Sequence, residues 1–457
     1  MSYDSGPTMT SPSRQIAAFL ADSLRRKVSA AQRHVTYRAL LDTYAVALAG
    51  FTDDAPRIAA AHLEEVHGVG SASAWGTGER LPAEAAAWLN GIAGHVLDYD
   101  DMLPPLVGHP SVAMIPALVA LSQQTGADGM RFSAAYIAGY EVLAAISPSM
   151  AMKHVMKGWH STASIGVLGA TAACSVLLGL TEEQTANAIG LAVTQAAGTR
   201  QNFGTMAKSF QVGQCNAAAV RAALLAQKGF TAPHDAIEGK YGFLALYGEN
   251  EDLADGFATL GRRPLALDTI GIDVKKYPCC YAIHKALDGV LSLRGAHDLT
   301  WDNVERIEIV SQTRGLQPLT YTDPQSGLEG KFSMEYSIAA AMLDGKIQLS
   351  SFDDVQVARP EIKERLTRVT KSEAPSPMLP RWATVKIALK NGSAVEQHVT
   401  TSRGDAQDPL TDEELMVKAE DCFSYVGRKA SAQDIAAMVF DLDKRRVRDV
   451  ITVGKAT

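Results

Sequence analysis

The chain has 457 residues, 47% of them hydrophobic and 20% charged, with a formal net charge of −7. That length supports a large core in more than one domain, and the acidic balance argues against nucleic acid or an anionic membrane surface as partner. Five cysteines, sparse and odd in number, argue against a disulfide scaffold and fit a reducing, cytoplasmic compartment.

Residues 1–14 are polar and rich in Ser and Pro, without the basic and apolar blocks of a secretory leader. They read as a disordered lead-in. From about Arg14 to Gly261 nearly every segment reads as helix, with apolar spacing of three and four over 112–122, 132–146, 185–197 and 217–228. Gly126 and Gly229 sit just past helix ends, and Thr181-Glu182-Glu183-Gln184 opens a helix as a capping box. Residues 164–180 carry no charge but fall short of the ~20 residues of a spanning helix, so a buried helix is expected there. Its small residues Gly166, Ala170 and Ala173 suit close contact.

From about residue 268 the texture changes. Residues 304–311 alternate with period two, as a strand does. Residues 382–390 and 393–400, joined by Asn391-Gly392, predict a hairpin through a turn with two positive φ angles. A helix is expected over 332–343 between them. Thr411-Asp412-Glu413-Glu414 opens another, and 431–440 a last one. The expected architecture is therefore mainly α: a discontinuous helical domain over 15–267 and 406–457, and a smaller α+β domain over 268–405.

The chemistry-bearing residues are unevenly spread. His160, in Lys157-Gly158-Trp159-His160-Ser161-Thr162, follows a cationic patch and precedes the small-residue run. An imidazole titrates near neutrality, so His160 is the first candidate for a proton-transferring base; its plain alternative is a hydrogen-bonded histidine at a helix start. His109 precedes Pro110, which disfavours helix and suggests a loop reaching into a cleft. Asp98, Asp100 and Asp101 tempt a magnesium assignment, but His95 and His109 are poor partners for so hard an ion. Asp98 is read instead as orienting a histidine or binding a substrate hydroxyl, with no metal. Lys208, Lys275 and Arg200 are cations suited to carboxylates, Arg in a bidentate grip. The alternatives are a solvated lysine at 208 and a strand-edge charge at 275. Cys279-Cys280 is no Cys-x-x-Cys pair, and Cys280 is either a thiol at the site or a packing residue. No phosphate-binding glycine pattern occurs at 198–204.

Taken in order, residues 97–101 with Gly108-His109-Pro110-Ser111, then 158–162, 202–208 and 275–280, then Lys331-Phe332-Ser333 and 404–415, resemble the MmgE/PrpD family over roughly residues 15–445. The resemblance implies a large helical domain, a smaller lid domain, a homodimer with its site between domains, and neither metal nor organic cofactor. It implies proton chemistry beside a carboxylate of a small di- or tricarboxylic acid. Asp98, His109, His160, Lys208 and Lys275 match the family's decarboxylase pattern in type, and Tyr321 matches its tyrosine. Met102 stands where that pattern has threonine and Cys280 where it has histidine, which points away from cis-aconitate decarboxylation. The first expectation is thus a hydro-lyase of the 2-methylcitrate dehydratase type. The alternatives are an epimerase of a dicarboxylate such as iminodisuccinate, a cis-aconitate-type decarboxylase, and a non-catalytic anion binder.

Overall fold

The computed structural model describes residues 11–249, 253–427 and 431–451. They form two compact units. The first holds the described residues up to Val96, then Asp100–Ile272, and those from Val426 on; the second holds Leu97–Tyr99 and Asp273–Tyr425. The fold is mainly α, a large helical unit and a smaller α+β unit. Of the expected lead-in, residues 1–10 lie outside the described residues. The remainder is not disordered: a helix, Pro12–Asp22, starts on a proline whose fixed φ suits a first turn, and it buries Ile16, Ala17, Phe19 and Leu20.

In the first unit Ala30–Gly50, Ala83–Val96, Pro110–Thr125, Gly129–Met156, Gly166–Leu178 and Ala207–Gln227 are the long helices. Most are apolar on nearly every face, the pattern of helices buried all round. Ala207–Gln227 packs on Ala83–Val96 and Gly166–Leu178. A Cβ on Gly91 would stand 3.1 Å from the Gly213 Cα, so those two backbones meet only because neither position has a side chain. The uncharged run is a buried core element: Ser161–Leu178 is long and apolar enough to cross a membrane, yet 94% of it is buried inside the protein.

Pro116 lies inside Pro110–Thr125 and lacks the N–H that would bond the Val112 carbonyl. Asn216 repairs this from the neighbouring helix. Its Nδ2 donates to Val112 O at 2.9 Å, and its Oδ1 accepts from Ala117 N at 3.0 Å. A buried carbonyl left open would cost about 1–3 kcal/mol, so this asparagine is fixed by its partner's proline.

The second unit is built on a four-stranded sheet, ordered Val369–Ala374, Val304–Gln312, Ala383–Leu389, Ala394–Val399. The first pair is parallel and the others antiparallel. A bulge at Val304/Arg306 shifts the register, so Val304, Ile307 and Ile309 all face the core despite their uneven spacing. Helices Tyr281–Ala296 and Met334–Asp344 share that core through Ile283, Leu287, Val290, Tyr336 and Ile338. The hairpin is present, but its turn differs from the expected one. Only Gly392 has positive φ (88°), Gly392 N donates to Leu389 O at 3.0 Å, and Asn391 Oδ1 accepts from Ser393 N at 3.0 Å. That is a longer loop with a left-handed glycine, not a two-residue turn.

The capped helix Asp412–Tyr425 was expected with the helical domain, but it belongs to the second unit. Leu415, Cys422 and Phe423 are buried, and Asp421 accepts from Leu349 N at 3.0 Å. The capping box at Thr411 and Glu414 is real; such a box marks where a helix starts, not what it packs against.

Candidate active site

His160 is the N-cap residue of the short helix Ser161–Ser164. Its backbone is fixed by strand-like pairing: His160 N donates to Gly198 O at 3.0 Å, and Arg200 N to Gly158 O at 2.8 Å. Gly158 and Gly198 have φ of 103° and 128°, values that a side chain resists. The His160 ring meets the Gln211 Oε1 through Nδ1 at 2.8 Å, and the Gln211 Nε2 donates to Thr199 O at 3.1 Å. That second bond orients the amide so that its oxygen faces the imidazole. The tautomer assigned from this network carries hydrogen on Nδ1, leaving Nε2 as the basic nitrogen. A cavity of about 300 Å³ lies alongside, lined by Ala163, Gly198, Gln211 and Cys215 among others.

Two more histidines complete the group. The His95 ring stacks on His160 at 5.4 Å between centroids, and His109 meets His95 edge-on at 4.8 Å. Asp100 serves both: its Oδ2 lies 2.7 Å from His95 Nδ1 and 3.2 Å from His109 Nδ1, and its main-chain carbonyl is the hydrogen-bond partner of His109 Nδ1 at 3.3 Å. His109 is the extended N-cap of Pro110–Thr125, as the following proline dictates. Its loop is pinned by Ser161 Oγ donating to Val107 O at 2.8 Å and by His109 N donating to Thr162 Oγ1 at 3.2 Å. Phe203 closes the cluster edge-on against His160 at 5.0 Å. Sequence reasoning did not place His95, Asp100 or Gln211 at the site; the position of His95 five residues before an aspartate was the available signal.

His95, Asp100 and His109 offer ligand atoms within 4.8 Å of one another, in type a two-histidine, one-carboxylate donor set. Both Nδ1 atoms, however, are engaged by Asp100, that of His95 by its carboxylate at 2.7 Å and that of His109 by its main-chain carbonyl at 3.3 Å. This is the geometry that orients an imidazole, and an ion on His95 Nδ1 would displace the proton shared with Asp100.

The acidic run at 98–101 is not one cluster. Asp101 points away from the histidines: Oδ1 accepts from Ser111 N at 3.1 Å, Oδ2 bonds the Ser111 hydroxyl, and that hydroxyl meets Tyr136 Oη at 2.7 Å. Burial raises its carboxyl from 3.8 to about 8, opposed by the Ser111 bonds and assisted by the charges of Asp42 and Asp100. A carboxyl raised in the folded state favours folding fully below its unfolded value and loses that contribution as pH climbs toward its folded value. Asp101→Asn cannot ionise. The melting temperature of this variant relative to the native chain is therefore expected to rise progressively between pH 5 and pH 8, read by thermal unfolding across that range; a flat difference would refute it.

Lys208 is buried on Ala207–Gln227 with its Nζ 5.5 Å from the Phe203 ring. Arg200 donates through Nη1 to Val155 O at 3.1 Å and lies over Phe203, so part of its guanidinium serves the main chain.

The remaining candidates belong to the second unit. Asp98, left-handed at φ 54°, pairs with Lys275 at 3.1 Å, and both are buried. Cys280 is a half-buried N-cap residue whose N–H donates to Lys331 O at 3.0 Å. Cys279 is fully buried, and burial raises its thiol well above the ordinary value. His284, unremarked in the sequence, is buried beside them. Burial first, then the Lys275 ammonium, hold its imidazole well below the ordinary range, so it is neutral and lies 3.3 Å from Cys279 O through Nε2. Tyr321 is half-buried in a loop before Gly327–Gly330 and takes no part in the Asp98–Lys275 bonding. All five cysteines are free.

Residues 14–255 match the sequence profile of the MmgE/PrpD N-terminal domain, and residues 277–444 that of the MmgE/PrpD C-terminal domain. Among similar proteins, human cis-aconitate decarboxylase is 28% identical over 396 residues, covering 83% of this chain and 81% of that protein. The mouse cis-aconitate decarboxylase is 31% identical over 367 residues, covering 76% and 73%. That of Aspergillus terreus is 24% identical over 400 residues, covering 81% and 80%.

Proposed function

The chain belongs to the MmgE/PrpD family, and from that premise we propose that it is a lyase acting on a small tricarboxylic acid of the cis-aconitate kind. The observation that carries this reading is the buried trio His95, His109 and His160, two of them oriented by Asp100, one through its carboxylate and one through its main-chain carbonyl. Breaking a C–C or C–O bond next to a carboxylate leaves an electron pair that a proton must quench. A positioned imidazole delivers or removes that proton. His160 is assigned that transfer through Nε2, with His109 as its partner. Lys208 and Arg200 are assigned to carboxylates, where fixed cations stabilise the charge that develops. Lys275 is assigned a carboxylate-binding role too, with Asp98 holding it in place. The likeness to cis-aconitate decarboxylases supports decarboxylation as the bond-breaking step.

Met102 and Cys280, where the decarboxylase pattern has threonine and histidine, favour a second reading: a hydro-lyase that removes the proton α to a carboxylate and expels a β-hydroxyl, as with 2-methylcitrate. Proton NMR of the purified protein in D₂O separates the two. Conversion of cis-aconitate to an unsaturated dicarboxylate one carbon shorter is the expected result. A new vinyl signal from 2-methylcitrate or citrate, with cis-aconitate left intact, would establish the second reading instead. Deuterium replacing hydrogen on an sp³ carbon of iminodisuccinate, with no C–C or C–O bond broken, would overturn the lyase reading in favour of an epimerase.

A further inference from the structure

Three lysines far apart in sequence converge on three successive main-chain carbonyls. Lys331 Nζ donates to Leu97 O at 2.6 Å, Lys275 Nζ to Asp98 O at 2.6 Å, and Lys418 Nζ to Tyr99 O at 2.8 Å. All three side chains are more than nine-tenths buried. Buried lysine is unusual, because an ammonium withdrawn from water must be repaid by close acceptors. The segment Leu97–Tyr99 lies in no helix or strand, and buried carbonyls of that kind need partners. Each need answers the other.

The clamp is built from three separate stretches of the second unit: residues 273–280, the turn after Gly327–Gly330, and helix Asp412–Tyr425. Aromatic rings add to it, with Lys418 4.1 Å from the Tyr99 ring centroid and Lys331 5.8 Å from that of Phe352. Tyr99 Oη donates in turn to Lys276 O at 3.1 Å. At its centre, Asp98 takes the left-handed conformation that Asp tolerates better than most residues. The Lys275 ammonium thereby meets both the carbonyl and the carboxylate of the same residue.

We propose that Lys331 and Lys418 are positioning residues: by holding the carbonyls on either side of Asp98, they set the geometry of the Asp98–Lys275 pair. This rests on the reading above, in which that pair serves the substrate. The ammoniums at 331 and 418 grip the main chain, and their effect on the pair passes through Asp98.

Hydrogen–deuterium exchange of the full chain reads the clamp without any substrate. In Lys418→Met and in Lys331→Met the amides of residues 97–99 should exchange at least about tenfold faster, while helix Tyr281–Ala296 keeps its native protection. With cis-aconitate as probe, both variants should lose about 10–100-fold in kcat/KM, mainly in kcat, as expected of a misplaced group. Lys418→Arg, which keeps a cation on the Tyr99 carbonyl, should recover most of that loss and the native exchange. Unchanged exchange at 97–99, or protection lost evenly across the second unit, overturns the proposal. If no acid is turned over by the native chain but exchange at 97–99 rises in both Met variants, the clamp stands and the functional reading has failed.

Discussion

Replacing His160 with alanine is expected to lower turnover of cis-aconitate by roughly 10²–10⁴-fold, the usual worth of a positioned proton-transfer group. The fold should tolerate the change. His160 is held by its backbone pairing with Gly198, which alanine keeps, and its ring lies between His95 and Phe203, whose packing is loosened rather than broken. Gln211→Leu removes the bond that sets the His160 tautomer and should cost less, because the imidazole itself remains. Steady-state kinetics by NMR, with circular dichroism to verify the fold, check both. A loss below about tenfold in His160→Ala would remove this residue from the proton-transfer role.

Lys275→Met should destabilise the chain by about 3–5 kcal/mol, the typical result of stripping one partner from a buried ion pair. The pair is fully withdrawn from water, with side-chain exposures of 1% for Lys275 and 6% for Asp98, so solvent does little to screen it. The single substitution takes the Lys275 ammonium from both the Asp98 carboxylate and its carbonyl at once. Adding Asp98→Asn removes the buried negative charge, and the double variant should recover a large part of the lost stability while staying inactive. Urea unfolding of the native chain, both single variants and the double variant closes the cycle and isolates the coupling. Additive losses would mean that the two side chains do not act as a pair.

Much of the fold was legible because its determinants are local. Capping boxes at Thr181 and Thr411, the left-handed Gly126 and Gly229, and the extended residue before Pro110 depend on neighbours within about four positions. The strand at 304–312 was legible from its alternation, though its bulge was not. The hairpin likewise appeared at the expected place with a different turn, because a dipeptide limits φ without fixing the loop length. His109 was read as a loop residue because Pro110 constrains its backbone, and His160 was singled out for its imidazole between a cationic patch and a small-residue run.

What the sequence determined by itself, then, is the mainly helical architecture, the change to an α+β texture and the histidine-bearing loops, all set by short-range sterics and periodicity. Only the tertiary structure decided where the acids at 98, 100 and 101 go: one to Lys275, one to two histidines, one to a serine and tyrosine behind a helix start. Adjacent in sequence, they look like one cluster, but each turns a different way along an irregular backbone. Lys418 could not be foreseen as Tyr99's partner across 319 residues. Such a pair is selected by which surfaces bury together, and burial is a property of the packed chain rather than of any stretch within it.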